Sequence, residues 1–193
     1  QGLAAIIRNF DILAIQEIRS SDQNILNVLL NYVNENGLQY NYLLGPRLGR
    51  SSSKEQYAYI FNTRTVAAVP NGSYTVHDQE DLLHREPLVA RFTVLGNGQF
   101  QPFTFTLANV HTDPDEVKQE VEVLGRVFQA ISQFEAAAAR EDDVIMLGDF
   151  NADARQLAAV ATQREYLPTI VNAATNVTMT KQYDNILLNP TYC

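Results

Sequence analysis

The chain has 193 residues, with 14 Lys plus Arg against 22 Asp plus Glu, a formal charge of −8 and 46% hydrophobic residues. That supports one sizeable core and one domain, and it excludes an intrinsically disordered chain. No apolar run reaches the roughly 18 residues that a membrane-spanning helix needs, the single cysteine, Cys193, excludes an internal disulfide framework, and the acidic balance argues against a general polyanion binder.

From Gly2 to Phe10, the residues Leu3, Ile6, Ile7 and Phe10 fall at helical spacing. The following run Asp11-Ile12-Leu13-Ala14-Ile15 is short and apolar and stops at Gln16-Glu17, which predicts a strand buried on both faces. Ser21-Asp22 predicts the N-cap of a helix reaching Asn36, with Ile25, Leu26, Leu29, Leu30 and Val33 on one face and Gly37 as its stop. Short strand-like runs then appear at Leu43–Leu44, Tyr57–Phe61, Val66–Val69, Leu88–Val94 and Phe103–Val110, separated by Gly-Pro, Asn-Thr, Pro-Asn-Gly-Ser and Gly-Asn-Gly clusters. Pro114 predicts the first turn of a helix whose stripe Val117, Val121, Leu124, Phe128 and Ile131 continues towards Ala139. The acids Asp113, Asp115, Glu116, Glu120 and Glu122 lie where that helix's dipole favours them and read as structural. Val144–Leu147 predicts another buried strand ending at Gly148-Asp149, and Asn185–Leu188 a last one after Tyr183-Asp184. Helices around a strand-rich middle predict α/β architecture with at least one large sheet.

Chemistry collects at the strand ends. Glu17 follows the first strand, His111 the run ending at Val110, Asp149 and Asn151 the run ending at Leu147, and Asp184 precedes the last. Sheet termini are where a rigid core can hold an accessible side chain. Singly, each has an ordinary reading: a solvated turn glutamate, a structural histidine, a Gly-Asp turn. Jointly, carboxylates, an amide and an imidazole suit Mg²⁺, which prefers hard oxygen ligands with substrate phosphate completing its shell. The cation neutralises charge gathering on a phosphate, and the imidazole moves a proton near neutral pH. Three histidines and one terminal cysteine lack the spacing of a closed zinc site, and neither a phosphate-binding Gly-rich loop nor a Gly-x-Ser-x-Gly elbow is present. Metal-assisted phosphoester hydrolysis is therefore favoured over acyl or nucleotide-dependent phosphoryl transfer. Residues 44–64 add Arg47, Arg50, Lys54 and Arg64 against Glu55 alone, a local +3, together with Ser51, Ser52 and Ser53. Such a stretch can grip phosphates, or can be a solvated basic loop balancing acidic neighbours.

Ile15-Gln16-Glu17-Ile18-Arg19, Arg85-Glu86-Pro87, Asn109-Val110-His111, Leu147-Gly148-Asp149-Phe150-Asn151-Ala152-Asp153 and Tyr183-Asp184-Asn185-Ile186 occur in that order. This set resembles the endonuclease/exonuclease/phosphatase superfamily. The stretch Leu48 to Tyr57 narrows the likeness to the deoxyribonuclease I branch. The resemblance implies two packed mixed or antiparallel sheets flanked by helices, in a four-layer sandwich. It also implies that Glu17 carries Mg²⁺ or Mn²⁺, that Glu55 pairs with His111 as general acid, and that Asp149 and Asn151 hold metal, attacking water or phosphate. Asp184 would orient a second histidine; Arg19, Arg50, Ser53, Arg85 and Tyr183 would meet DNA. His77 and His84 are given no role. The segment Asn172 to Thr180 lies where the family can bind Ca²⁺ but has no carboxylate, so a Ca²⁺ site is not supported.

The resemblance further implies a first strand bearing Asn and a terminal Ser-Asp-His segment before a last strand. Neither is in the 193 residues, so the expectation is one domain, residues 1–193, lacking the first and last strands and incomplete at both termini. Hydrolysis of internal DNA phosphodiesters leaving 5′-phosphates is the expected activity. Two alternatives stand beside it: a phosphodiesterase or phosphatase acting on lipid headgroups or small phosphoesters, and a catalytically impaired binding or inhibitory module of the same fold.

Overall fold

The computed structural model describes residues 1–50, 52, 54–96, 102–160 and 166–190. In chain order the elements are α1 (Gly2–Ile7), β1 (Ile12–Ile18), α2 (Ile25–Val33), a 3-10 turn (Glu35–Gly37), β2 (Tyr40–Leu44), β3 (Gln56–Asn62), β4 (Val66–Thr75) and β5 (Leu88–Val94). They continue with β6 (Phe103–His111), α3 (Val117–Ala139), β7 (Val144–Asp149), α4 (Ala154–Val160), β8 (Leu167–Pro168) and β9 (Asp184–Leu188). A small antiparallel sheet has the order β1-β3-β2, and a six-stranded sheet the order β4-β5-β6-β7-β9-β8. In the larger sheet β6 and β7 run parallel, joined by the crossover helix α3, and the other neighbouring pairs are antiparallel.

Period-2 alternation sorts the strand residues into faces. From β3, Tyr57, Tyr59 and Phe61 turn to the large sheet and meet Leu88, Ala90 and Phe92 of β5 and Phe105 and Leu107 of β6. Phe92 receives Tyr59 and Phe61 edge-on at 5.4 and 5.5 Å between ring centres, a favoured geometry for aromatic pairs. On the outer face of the large sheet, Val89, Ala108, Val110, Val144, Met146 and Leu187 bury against Val121, Leu124, Phe128 and Ile131 of α3 and Leu157 of α4. On the outer face of the small sheet, Ile60 packs with Ala4 and Ile7 of α1 and Val33 of α2. Helix, sheet, sheet and helix form the expected two-sheet α/β sandwich.

The departures are local and have physical reasons. β1 does not stop at Gln16-Glu17 but continues to Ile18, and it is half-buried rather than buried on both faces because it lies at the edge of the small sheet. The first helix ends at Ile7 and leaves Leu3, Ile6 and Phe10 exposed. Pro70-Asn71-Gly72-Ser73, a turn by composition, is instead a bulge inside β4, where the register with β5 jumps between Ala68 and Ser73. Helix α3 starts at Val117 rather than Pro114 because Asp113 folds the chain into a preceding turn, its carboxylate accepting from Asp115 N–H and its carbonyl from Glu116 N–H. Helix α4 is unanticipated, yet Asp153 and Gln156 exchange hydrogen bonds at 2.9 Å each way, a capping box written Asp-x-x-Gln. Ser51, Ser53 and Cys193 fall outside the described residues.

Candidate active site

Strand register brings the site together. His111 on β6 stands opposite Asp149 on β7, and Asp149 stands opposite Asp184 on β9. All three share a face with Leu107 and Leu147, which pack into the sandwich interior, so they face the small sheet at its open end. From the small sheet, Glu55 precedes β3 and Glu17 lies near the end of β1. Residues scattered from position 17 to 184 thereby converge on one end of the sandwich.

Glu55 and His111 form a close pair, with His111 Nδ1 2.6 Å from Glu55 Oε1. Both are buried, at 1% and 7% exposure. A carboxylate only accepts, so Nδ1 carries the proton and Nε2 is the ring nitrogen left for chemistry. The backbone of His111 is held as well: its N–H donates to Tyr57 Oη at 2.9 Å, and its carbonyl accepts from Arg85 Nε at 3.1 Å. Burial by itself would raise the Glu55 carboxyl. The His111 hydrogen bond and the charges of His111, Arg85 and Arg19 outweigh it and hold Glu55 below the ordinary carboxylate range.

The Gly-Asp-Phe-Asn-Ala-Asp segment has a steric explanation. Gly148 has φ +145°, and a Cβ there would lie 2.0 Å from the Val110 carbonyl oxygen, so only glycine lets β7 run this close to β6. Phe150 and Ala152 anchor the segment in the core, and Phe150 N–H donates to Tyr183 O at 2.8 Å. Asn151, at φ +47°, donates its backbone N–H to Asp149 Oδ1 and its side-chain amide to Thr112 O, each at 2.9 Å. Asp149 is pushed above the usual aspartate range, first by burial and further by the negative charges of Asp184 and Glu17, against the lowering pull of Asn151 N–H and His111.

The candidate DNA-contacting residues divide. Arg19 is exposed beside Glu17 at 3.3 Å and Glu55 at 3.8 Å, open to an anion at the mouth. Arg85 departs from the expected surface contact: it is 7% exposed, with its guanidinium committed to His111 O, Thr112 O and Glu55 Oε1. Arg50 is paired with Asp81 and Glu116, Arg47 donates to the backbone of Arg19, Ser20 and Lys54, and Arg64 donates to Gly37 O beyond the far end of β3. The local +3 of residues 44–64 is thus dispersed and partly neutralised. Tyr183 and Asn151 border a polar cavity of about 480 Å³ with Lys181 and Gln182. Of the acids near α3, Asp113 and Glu116 are engaged in the turn and with Arg50, and Glu120 is buried in the protein, accepting from the backbone N–H groups of His84 and Asp113, rather than solvated at a helix end. Among the described residues no histidine pairs with Asp184: His111 is on Glu55, His84 lies 3.5 Å from Asp113, and His77 lines an apolar groove against α3.

Glu17, Asp149, Asp184 and the Asn151 amide are hard oxygen donors suited to Mg²⁺ or Mn²⁺. Burial raises Asp149 most, and a divalent cation would offset both that cost and the added repulsion from Asp184 and Glu17. The three carboxylates do not all close to within 4.8 Å of one another. Among the described residues the group that does is Glu141, Asp142 and Asp143, at the opposite end of β7. Four contributors escaped sequence reasoning: Tyr57, Thr112, Gly148 and the Asn109 side chain. Tyr57 was read only as a strand residue and Thr112 drew no reading; the others sit inside motifs whose neighbours drew the attention.

The endonuclease/exonuclease/phosphatase family model matches residues 1–169. Deoxyribonuclease-1-like 1 of Cricetulus griseus is 32% identical over 207 aligned positions, covering 99% of this chain and 64% of the relative. Deoxyribonuclease gamma of Homo sapiens is 31% identical over 161 positions, covering 78% of the chain and 48% of the relative. The chain therefore spans less than two thirds of these relatives' length. Among solved structures, a conserved protein of unknown function from Enterococcus faecalis superposes with a TM-score of 0.65 at 18% identity, covering 97% of this chain and 77% of that one. The D. rerio TDP2 structure with a single-strand DNA product gives 0.60 at 15% identity, covering 97% and 75%. The chain belongs to the endonuclease/exonuclease/phosphatase family, in its deoxyribonuclease I-like branch.

Proposed function

We propose that the chain carries the catalytic centre of a divalent-metal-dependent phosphodiester hydrolase that cuts DNA internally and leaves 5′-phosphates. The observation that carries this reading is the row His111, Asp149 and Asp184 on three adjacent strands, with Glu55 fixing the His111 tautomer from the facing sheet. His111 Nε2 delivers a proton to the departing 3′-oxygen, a contribution typically worth about 10²–10⁴ in rate. Asp149, Asn151 and Asp184 line the other side and orient the attacking water, and the Asp184 carboxylate takes the proton the water releases as the phosphorus–3′-oxygen bond breaks. Arg19 draws a phosphate oxygen to the mouth, and Arg85 supports His111 from below. Glu17 and Asp149 would hold a Mg²⁺ or Mn²⁺ ion, which would supply neutralisation of the charge gathering on the phosphate.

Arg50 being tied to Asp81 and Glu116 favours a second reading, a small phosphoester or lipid headgroup as substrate, since less positive surface then remains for a polyanion. Plasmid nicking in Mg²⁺, against the same reaction in EDTA, tests the first. Glu17→Gln, His111→Ala and Asp149→Ala are each expected to remove most of the nicking. Three variants that nick like the parent chain would refute the assignment. Cleavage of a small phosphodiester with no nicking, and no dependence on salt, would favour the second reading.

A further inference from the structure

Strand β1 carries one residue more than its partner. Ile12 to Ile15 pair one for one with Phe61 to Ala58, but the next pair is Ile18 with Gln56. Gln16 and Glu17 therefore stand opposite Tyr57 alone, and Glu17 takes φ +58°. Leu13 and Ile15 face the helices and Ala14 faces the sandwich, so an unbroken strand would send Glu17 to the helix side. The bulge re-aims it to the open end of the sandwich, where Arg19 stands between it, at 3.3 Å, and the Glu55 carboxylate that holds His111, at 3.8 Å. A non-glycine residue at positive φ persists only where its surroundings over-determine it.

Asn109 supplies that constraint. It sits on β6 in the facing sheet, fully buried and two residues before His111. Its Nδ2 donates to Ile15 O at 3.1 Å and to Ala58 O at 3.3 Å, the last paired residues before the ladder breaks. Its Oδ1 accepts from Gln16 Nε2 at 2.5 Å. One amide from the large sheet grips both strands of the small sheet at the bulge, and it needs two donors and an acceptor on one short planar group. Aspartate cannot donate, and leucine can do neither.

We propose that Asn109, with Gln16 as its partner, is a positioning residue that clamps the β1 bulge and so holds Glu17 on the cation side of the site. Asn109 itself touches neither substrate nor cation. The inference rests on the reading that Glu17 holds the metal. A buried amide of merely structural importance would alter stability and leave metal affinity alone, whereas outer partners of metal ligands typically govern affinity by about 10–100-fold.

The test is calorimetric titration with Mn²⁺, without substrate, counting the binding that Glu17→Gln abolishes. Asn109→Asp keeps the size and the acceptor but sets a carboxylate against two carbonyl oxygens. It is expected to raise the Mn²⁺ dissociation constant at least about tenfold, and Gln16→Glu to raise it in the same direction. Phe128→Leu, on the outer face of the large sheet, serves as a destabilised reference and is expected to keep the parent affinity. Parent-like affinity in both amide variants would overturn the proposal, as would an equal loss in Phe128→Leu at matched thermal stability. If Asn109→Asp fails to fold, Gln16→Glu decides. If Glu17→Gln leaves Mn²⁺ binding intact, the metal assignment falls and takes this proposal with it. If Glu17→Gln abolishes binding and the amide variants do not weaken it, the proposal alone falls.

Discussion

Replacing Glu55 by Gln keeps the shape of the side chain and removes its charge. Arg85, 3.2 Å away with its side chain 5% exposed, then loses its anionic partner in a region closed to water. Breaking a buried pair from one side costs about 3–5 kcal/mol. Arg19 is 59% exposed and adds at most about 1 kcal/mol. The amide still offers His111 an acceptor, so the lower end, about 3 kcal/mol, is expected. With a urea m-value of about 2 kcal/mol/M, the unfolding midpoint should fall by about 1.5 M at pH 7. The sign with pH follows from Glu55 titrating below its unfolded value. Its contribution is fully present above about pH 4.3, the ordinary glutamate value, and is lost as pH falls through the depressed folded value. The gap between parent and variant should therefore narrow on acidification below that point. A variant within about 0.5 kcal/mol of the parent, with a gap flat from pH 7 to pH 3, would refute this account of the pair.

Gly148→Ala places a Cβ 2.0 Å from the Val110 carbonyl at φ +145° and should cost more than about 3 kcal/mol, read as a lowered urea midpoint; a parent-like midpoint would mean β6 and β7 are not this close. Asp153→Ala removes the acceptor for Arg155 and Gln156 N–H at the start of α4 and should cost about 1 kcal/mol by the same measurement.

The sandwich was legible because alternation and buried runs belong to the strands themselves. Leu88–Val94 has the bounds that its composition implies, Phe103–Val110 is extended only by His111, and Val144–Leu147 only by Gly148 and Asp149. His111, Asp149 and Asp184 were recognisable as strand-end chemistry; that they stand abreast depends on register, which no single strand encodes. The bulge at Gln16-Glu17 is invisible in sequence because its cause, Asn109, is 93 positions away in the other sheet. Arg85 read as a phosphate ligand by family resemblance and Arg50 by that and the charge of its stretch. Their burial and acidic partners come from tertiary packing, Glu116 being 66 positions from Arg50. Helix α4 was legible in principle, since Asp153 and Gln156 spell its cap.

The central claim is that Glu17 and Asp149, brought from separate sheets, hold a divalent cation beside His111. Anomalous diffraction from a crystal of the chain soaked in Mn²⁺ measures this directly. The account predicts a peak between the carboxylates of Glu17 and Asp149, lost in Glu17→Gln. A Mn²⁺ peak confined to Glu141, Asp142 and Asp143 at the other end of β7, with none beside Glu17, would contradict it.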